Sequence, residues 1–242
     1  MNLYGNLDGE KAMAGLLYGM NPKTIISIPA KEVINYGKAV FLNGLKNALL
    51  NGKHDNKAVI DLSAYTTASK GIVLTINGVD VDVTTSGTIA TDVASLVSDI
   101  NDDVEGVTAV AGTGADAGKI FLTSDDDSEL SVEVVYDGSD VTDSKATLSS
   151  DAVYAGVSVF HQNAFLDSRG CYIKEEAVNV MEKGYIWVVL GSGVTPSPEA
   201  SAYVTKAGTF TTESSGNTLV GKFKSGAENG SGADSLALVS LD

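Results

Sequence analysis

Residues 72–83 read Ile72-Val73-Leu74-Thr75-Ile76-Asn77-Gly78-Val79-Asp80-Val81-Asp82-Val83. Asn77-Gly78 is the dipeptide favoured in a two-residue hairpin turn, whose central residues need positive φ. The run after it alternates apolar with acidic side chains, the period-2 pattern of a strand with one buried and one wet face. A β-hairpin follows from these twelve residues alone. Next, Val93, Leu96, Val97 and Ile100 fall at i, i+3, i+4 and i+7 and predict a short amphipathic helix, with Thr91 as N-cap and Asp92 in the first turn. Residues 107–110, 119–123 and 130–136 then read as three strands between Gly- and Asp-rich turns. The order is ββαβββ. Leu74, Ile76, Val81, Val83, Leu96, Ile100, Ile120, Leu122, Val132 and Val134 would form its core. Their burial grosses on the order of 20 kcal/mol before the entropy of ordering is subtracted.

The same region is set apart by charge. Residues 70–150 hold sixteen Asp and Glu against three Lys, a net −13 out of −15 for the whole 242-residue chain. Such segregation marks two separately built units, the acidic one inserted into the other. Residues 66–69 and 148–151 read as its stems. Loop-closure cost rises only with the logarithm of length, so a frame tolerates an insertion whose ends lie close together.

Outside the insertion, residues 1–30 read as an extended N-terminal arm ending in the apolar run Ile25-Ile26-Ser27-Ile28. Residues 31–69 and 151–242 form a β frame. Residues 33–50 show partial helical spacing at Val33, Tyr36, Val40 and Leu45, interrupted by Gly37 and Gly44, and read better as strands around a turn at Asn43-Gly44; Asn51-Gly52 is a second turn, and strands are expected at 153–160, and then at 177–181 and 184–189 around a turn at Lys183-Gly184. Further runs at 202–204, 208–211, 218–223 and 236–241 complete the set. Strands this short and regularly spaced predict a mainly β protein: a β-barrel or sandwich-like frame with an inserted small α+β domain.

Composition excludes several function classes. The acidic balance and the lack of a Lys/Arg cluster argue against nucleic acid as a partner. The apolar patch at 12–18 is short and interrupted by Gly15, which argues against a signal peptide or membrane span. One Cys and two His give no metal framework. His54 and His161 stand in polar turns without a nucleophile partner, and Cys171 beside Arg169 and Lys174 has no accompanying His. Asp125-Asp126-Asp127 with Glu129, and Asn101, Asp102, Asp103 and Glu105, lack the spacing of a calcium loop and read as solvated turns. Gly112 to Gly118 lacks the Lys-Ser/Thr of a phosphate loop. No catalytic, cofactor or metal site is expected, and the chain is read as no enzyme. The candidate contact residues are Leu16, Leu17, Tyr18 and Met20, large apolar groups in an unpatterned arm that must bury against the frame or a partner.

The frame also carries a family pattern. Ile28-Pro29-Ala30-Lys31-Glu32-Val33-Ile34-Asn35-Tyr36-Gly37, Tyr154-Ala155-Gly156-Val157-Ser158-Val159 and Val178-Asn179-Val180-Met181-Glu182-Lys183-Gly184-Tyr185-Ile186-Trp187-Val188 resemble tailed-phage structural cement, or capsid decoration, proteins. So do Ala202-Tyr203-Val204, Gly208-Thr209-Phe210-Thr211 and Asn217-Thr218-Leu219-Val220-Gly221-Lys222-Phe223. The resemblance implies a protein made in the host cytoplasm that binds the major capsid protein on the outer capsid surface, as a homotrimer. Within 70–150, Leu74-Thr75-Ile76-Asn77-Gly78, Gly106-Val107-Thr108-Ala109 and Ile120-Phe121-Leu122-Thr123-Ser124 resemble the Ile-Asn repeat module of flagellar hook-associated proteins. That module would project outward, solubilising the particle by its charge or binding a host surface or glycan. It also motivates an alternative reading, a surface filament or adhesion component.

Overall fold

Short apolar runs punctuated by Gly and Asn give the chain short strands. It enters through β1 (Thr24–Pro29), β2 (Ile34–Asn35), β3 (Ala39–Leu42) and β4 (Leu49–Leu50). It continues through β5 (Lys57–Asp61), β6 (Gly71–Ile76), β7 (Val79–Thr84), α1 (Ile89–Asp103), β8 (Val107–Ala111), β9 (Lys119–Ser124), β10 (Val132–Tyr136), β11 (Ser139–Asp140), α2 (Thr142–Lys145) and β12 (Ala146–Ser149). It returns through β13 (Val153–Ser158), β14 (Cys171–Tyr172), β15 (Ala177–Val189), β16 (Ser201–Val204), β17 (Phe210–Thr211), β18 (Thr218–Phe223), β19 (Glu228–Asn229) and β20 (Ser235–Leu241). The computed structural model describes residues 13–18, 23–160, 170–229 and 235–242. The fold is mainly β. It divides into two units, residues 1–53 with 152–242 and residues 54–151.

The second unit has two four-stranded antiparallel sheets, ordered β11-β10-β6-β7 and β12-β5-β9-β8. The hairpin β6–β7 turns at Asn77 and Gly78, both with positive φ (51° and 84°). Leu74 and Ile76 from one sheet and Ile60, Ile120 and Leu122 from the other meet in a single core with Leu96 and Ile100 of α1. The helix packs against β7 and β8, one edge strand of each sheet. It starts at Ile89, earlier than the expected Thr91 cap, because Thr88 takes the N-cap position and the buried Asp92 accepts a bond from the Ser86 N–H (2.8 Å). The unit also begins before residue 70. Strand β5 pairs with β9 (Ala58 with Leu122) and with β12 (Lys57 with Ser149), so Ala58, Ile60 and Leu62 belong to this core. These limits sharpen the charge segregation: residues 54–151 hold nineteen Asp and Glu against four Lys, a net −15, and the remainder is formally neutral.

The frame unit is built on a ten-stranded sheet curled into a half-barrel, ordered β17-β16-β18-β20-β15-β13-β3-β4, with β1 on β15 and β19 on β20. Strand β15 runs unbroken for 13 residues through the expected Lys183-Gly184 turn. Gly184 (φ 125°) instead marks a change of neighbour, since β1 pairs with residues 177–183 and β20 with 184–189. One face of the sheet buries Phe41, Met181, Ile186, Val188, Phe210, Phe223 and Val239. A smaller cluster holds Ile34, Val40, Leu49, Tyr172, Val178 and Val180. There the Tyr172 hydroxyl donates to the Val159 carbonyl (2.7 Å), and burial pushes its pKa up to about 12, keeping it a neutral donor.

Candidate functional site: an aromatic face on the frame

Segment 13–18 adds an edge to the frame sheet alongside β15. The Gly15 N–H donates to the Trp187 carbonyl (2.7 Å), the Trp187 N–H to the Leu16 carbonyl (3.0 Å) and the Tyr18 N–H to the Tyr185 carbonyl (3.0 Å). Leu17 pairs antiparallel with Ile186. Side chains alternate across a strand, so the arm's candidate residues separate. Leu17 turns inward and packs on the frame core with Ile186. Leu16 and Tyr18 turn to the opposite face, beside Trp187 and Tyr185. Tyr18 is 40% exposed and the other three are half-buried. Met20 lies outside the described residues.

The face continues onto β20, where Trp187 is opposite Leu238 and Tyr185 opposite Ser240, and then to Lys222 on β18. Val189 and Leu236 form a small buried cluster under Trp187 and Ala14. At the margin, Lys224 Nζ meets Glu199 at 2.7 Å. The Glu199 carboxylate, and to a smaller degree the Tyr185 phenol, hold this ammonium above the usual lysine range. The result is a surface of Trp, two Tyr and Leu with lysines at its rim. Amphipathic rings supply large contact area with few rotors, which is why Trp and Tyr concentrate at the centres of protein interfaces. Sequence reading reached Leu16 and Tyr18 but not Tyr185 and Trp187. Their signal lies in the alternation Tyr185-Ile186-Trp187-Val188, in which Ile186 and Val188 take the core.

The other singled-out groups are occupied structurally. Asp125 accepts from Thr108 Oγ1 (2.7 Å), Asp126 from Ser124 Oγ (2.9 Å) and the Ser128 N–H (3.0 Å), and Asp127 from Asn56 Nδ2 (3.2 Å). The three carboxylates thus serve different turns. Asn101 pairs with both backbone groups of Ala109, accepting from its N–H (2.8 Å) and donating to its carbonyl (3.0 Å), and so ties α1 to β8. His54 Nδ1 lies 3.2 Å from the Asp127 carbonyl, while His161 is outside the described residues. Cys171 is half-buried on β14. Among the described residues no helix is long and apolar enough to cross a membrane.

The family "Structural cement protein (E217 gp24/Pam3 gp6)" of phages matches residues 108–242, more than half of the chain. The chain belongs to the phage structural cement family. It is accordingly a structural component of the virion, associated with capsid proteins and serving capsid stability. The cement match spans β15, β18 and β20, the strands that carry Trp187, Tyr185 and Lys222. It begins inside the acidic unit, at β8, so the cement pattern is not confined to the frame. Neither the hook-like module nor the filament reading gains support from it. No curated protein matches the chain.

Proposed function

We propose that this cement protein binds the outer surface of the capsid through the Leu16, Tyr18, Tyr185 and Trp187 face and bridges neighbouring major capsid subunits. The observation that carries this reading is the aromatic face on a unit without net charge, in a chain whose other unit carries −15. A surface with rings at its centre and its charges at the rim meets a protein partner without the desolvation cost of many buried charges. A homotrimer engages several subunits at once, so weak individual contacts add through effective concentration. Residues 54–151 face solvent on the particle, where their charge keeps densely displayed copies and whole particles apart.

Co-sedimentation with undecorated capsids tests this. Trp187→Ala is expected to weaken binding about 30-fold, the loss of a hot spot worth about 2 kcal/mol, and Tyr18→Ala to weaken it less. A chain with residues 54–151 replaced by a short Gly/Ser turn should still bind. Full binding by Trp187→Ala, with loss of binding on replacing 54–151, would place the contact on the wrong unit.

A further inference from the structure

Strand β1 lies at an edge of the frame sheet, paired with β15 alone. Its backbone directions follow from its neighbours. The Ala30 N–H donates to the Glu176 carbonyl (2.9 Å), and the antiparallel register continues with Ile28 opposite Val178 and Ile26 opposite Val180. Bonded and non-bonded positions alternate in such a pair, so Ile26 and Ile28 give their backbone groups to β15. Ser27 lies opposite Asn179, whose carbonyl accepts from the Val159 N–H (2.7 Å) on the far side of β15. The N–H and C=O of Ser27, and those of Ile25 two residues earlier, therefore turn away from the sheet. Among the described residues neither has a backbone partner there. Pro29 takes the next outward position, where its missing N–H breaks no bond. Ile25 is 40% exposed, and Ser27 is exposed.

We infer that β1 pairs antiparallel with β1 of a second copy about a two-fold axis through Ile26. Free donors and acceptors at two alternate residues of an edge call for an extended strand, and a second β1 is complementary to the first. With Ile26 on the axis, Ile25 of each copy faces Ser27 of the other and four backbone bonds close, an isologous contact. On the face that carries the smaller frame core, Ile26 meets its own counterpart and Thr24 meets Ile28. These are β-branched cross-strand pairs, which favour a sheet. Charge permits the approach, since residues 24–29 hold no charged side chain and the frame has no net charge. The acidic unit's edge strand β7 instead carries Asp80 and Asp82, like charges that oppose such pairing.

About six residues of ~3.4 Å along an edge about 10 Å deep give roughly 200 Å² per copy, well under the ~800 Å² per partner of a standard stable interface. The pair is therefore weak in free solution and gains where copies are displayed side by side. This inference is independent of which frame surface meets the capsid.

The test uses the full chain with Cys171→Ser and one added thiol, oxidised with diamide at high protein concentration and read on a non-reducing denaturing gel. Ile26→Cys puts two thiols on the axis at a non-bonded pair, with Cα atoms about 4.5 Å apart, inside the span of a disulfide. It should give covalent dimer several-fold faster than Ile173→Cys, although Ile26 is half-buried and Ile173 is 47% exposed. Adding Ser27→Pro removes one outward N–H and sets a ring in the edge while sparing the bonds to β15, and should bring the rate down to that of Ile173→Cys. Adding Ser27→Ala keeps the N–H and should leave the rate high. Equal rates for Ile26→Cys and Ile173→Cys, or no effect of Ser27→Pro in a chain with an unchanged Trp187 unfolding midpoint, would overturn the inference.

Discussion

Gly156 is a position where the frame cannot take a side chain without moving its backbone. It sits at φ +145° at the register shift between β13 and β3, and a Cβ there would lie 2.4 Å from the Met181 carbonyl oxygen and 2.7 Å from Val180 Cγ1. The oxygen belongs to β15, the longest strand of the sheet, so relief requires backbone movement rather than a rotamer change. Backbone strain of about 1–3 kcal/mol adds to overpacking of similar size, and Gly156→Ala should cost about 3 kcal/mol. Gly216 provides the control: it also has positive φ (+72°), but a Cβ there would meet nothing within 4 Å. Gly216→Ala should cost only the left-handed penalty of about 1 kcal/mol. The single Trp187 lies in the frame, so its fluorescence in a urea titration follows frame unfolding without a signal from residues 54–151. With a slope of about 2 kcal/mol/M, Gly156→Ala should lower the midpoint by about 1.5 M and Gly216→Ala by about 0.5 M. Equal shifts for both substitutions would refute the close approach of β13 to β15.

Three further outcomes concern the acidic unit. Asn101→Ala removes both side-chain bonds to Ala109 and should destabilise residues 54–151 by about 1–3 kcal/mol, read in the near-ultraviolet dichroism of the stacked Tyr65 and Tyr136 rings (3.9 Å), with the Trp187 transition unmoved. The hydrogen bond from Lys57 holds the Asp151 carboxyl below its ordinary 3.8; a depressed value stabilises the fold above pH 3.8 and is lost as pH falls through the folded value. Both side chains of that pair are about a third or more exposed, so Asp151→Asn should cost under about 1 kcal/mol at pH 7 and nothing once both folded and unfolded carboxyls are protonated. Raising salt should stabilise the −15 unit against urea and leave the neutral frame's midpoint almost unchanged, because screening relieves only net self-repulsion.

The hairpin at 72–83 and the run β6-β7-α1-β8-β9-β10 were legible because their signals are local, an Asn-Gly turn, a period of two, a period of 3.6, whereas β11, α2 and β12, the last of which lies where a stem was expected, were not. Strand β5 was not, since Lys57 to Asp61 shows its allegiance only through pairing with β9 and β12, far along the chain. Lys183-Gly184 has turn composition, and only the arrival of β1 on one stretch and β20 on the next shows why glycine stands within a continuous strand. The helix start moved because a buried carboxylate, Asp92, organises the turn before it. The aromatic face was half visible. Leu16 and Tyr18 stand out as apolar residues without a pattern, yet which of the arm's side chains turn outward depends on the Leu17–Ile186 pairing, a non-local register.

In the proposed arrangement the neutral frame, through Trp187 and its neighbours, meets the capsid while the acidic unit does not. An electron-microscopy map of capsids decorated with the full chain tests it most directly. Shell density is expected against Leu16, Tyr18, Tyr185 and Trp187, with residues 54–151 in the outermost layer. Density joining residues 54–151 to the shell, with the Trp187 face open to solvent, would contradict it.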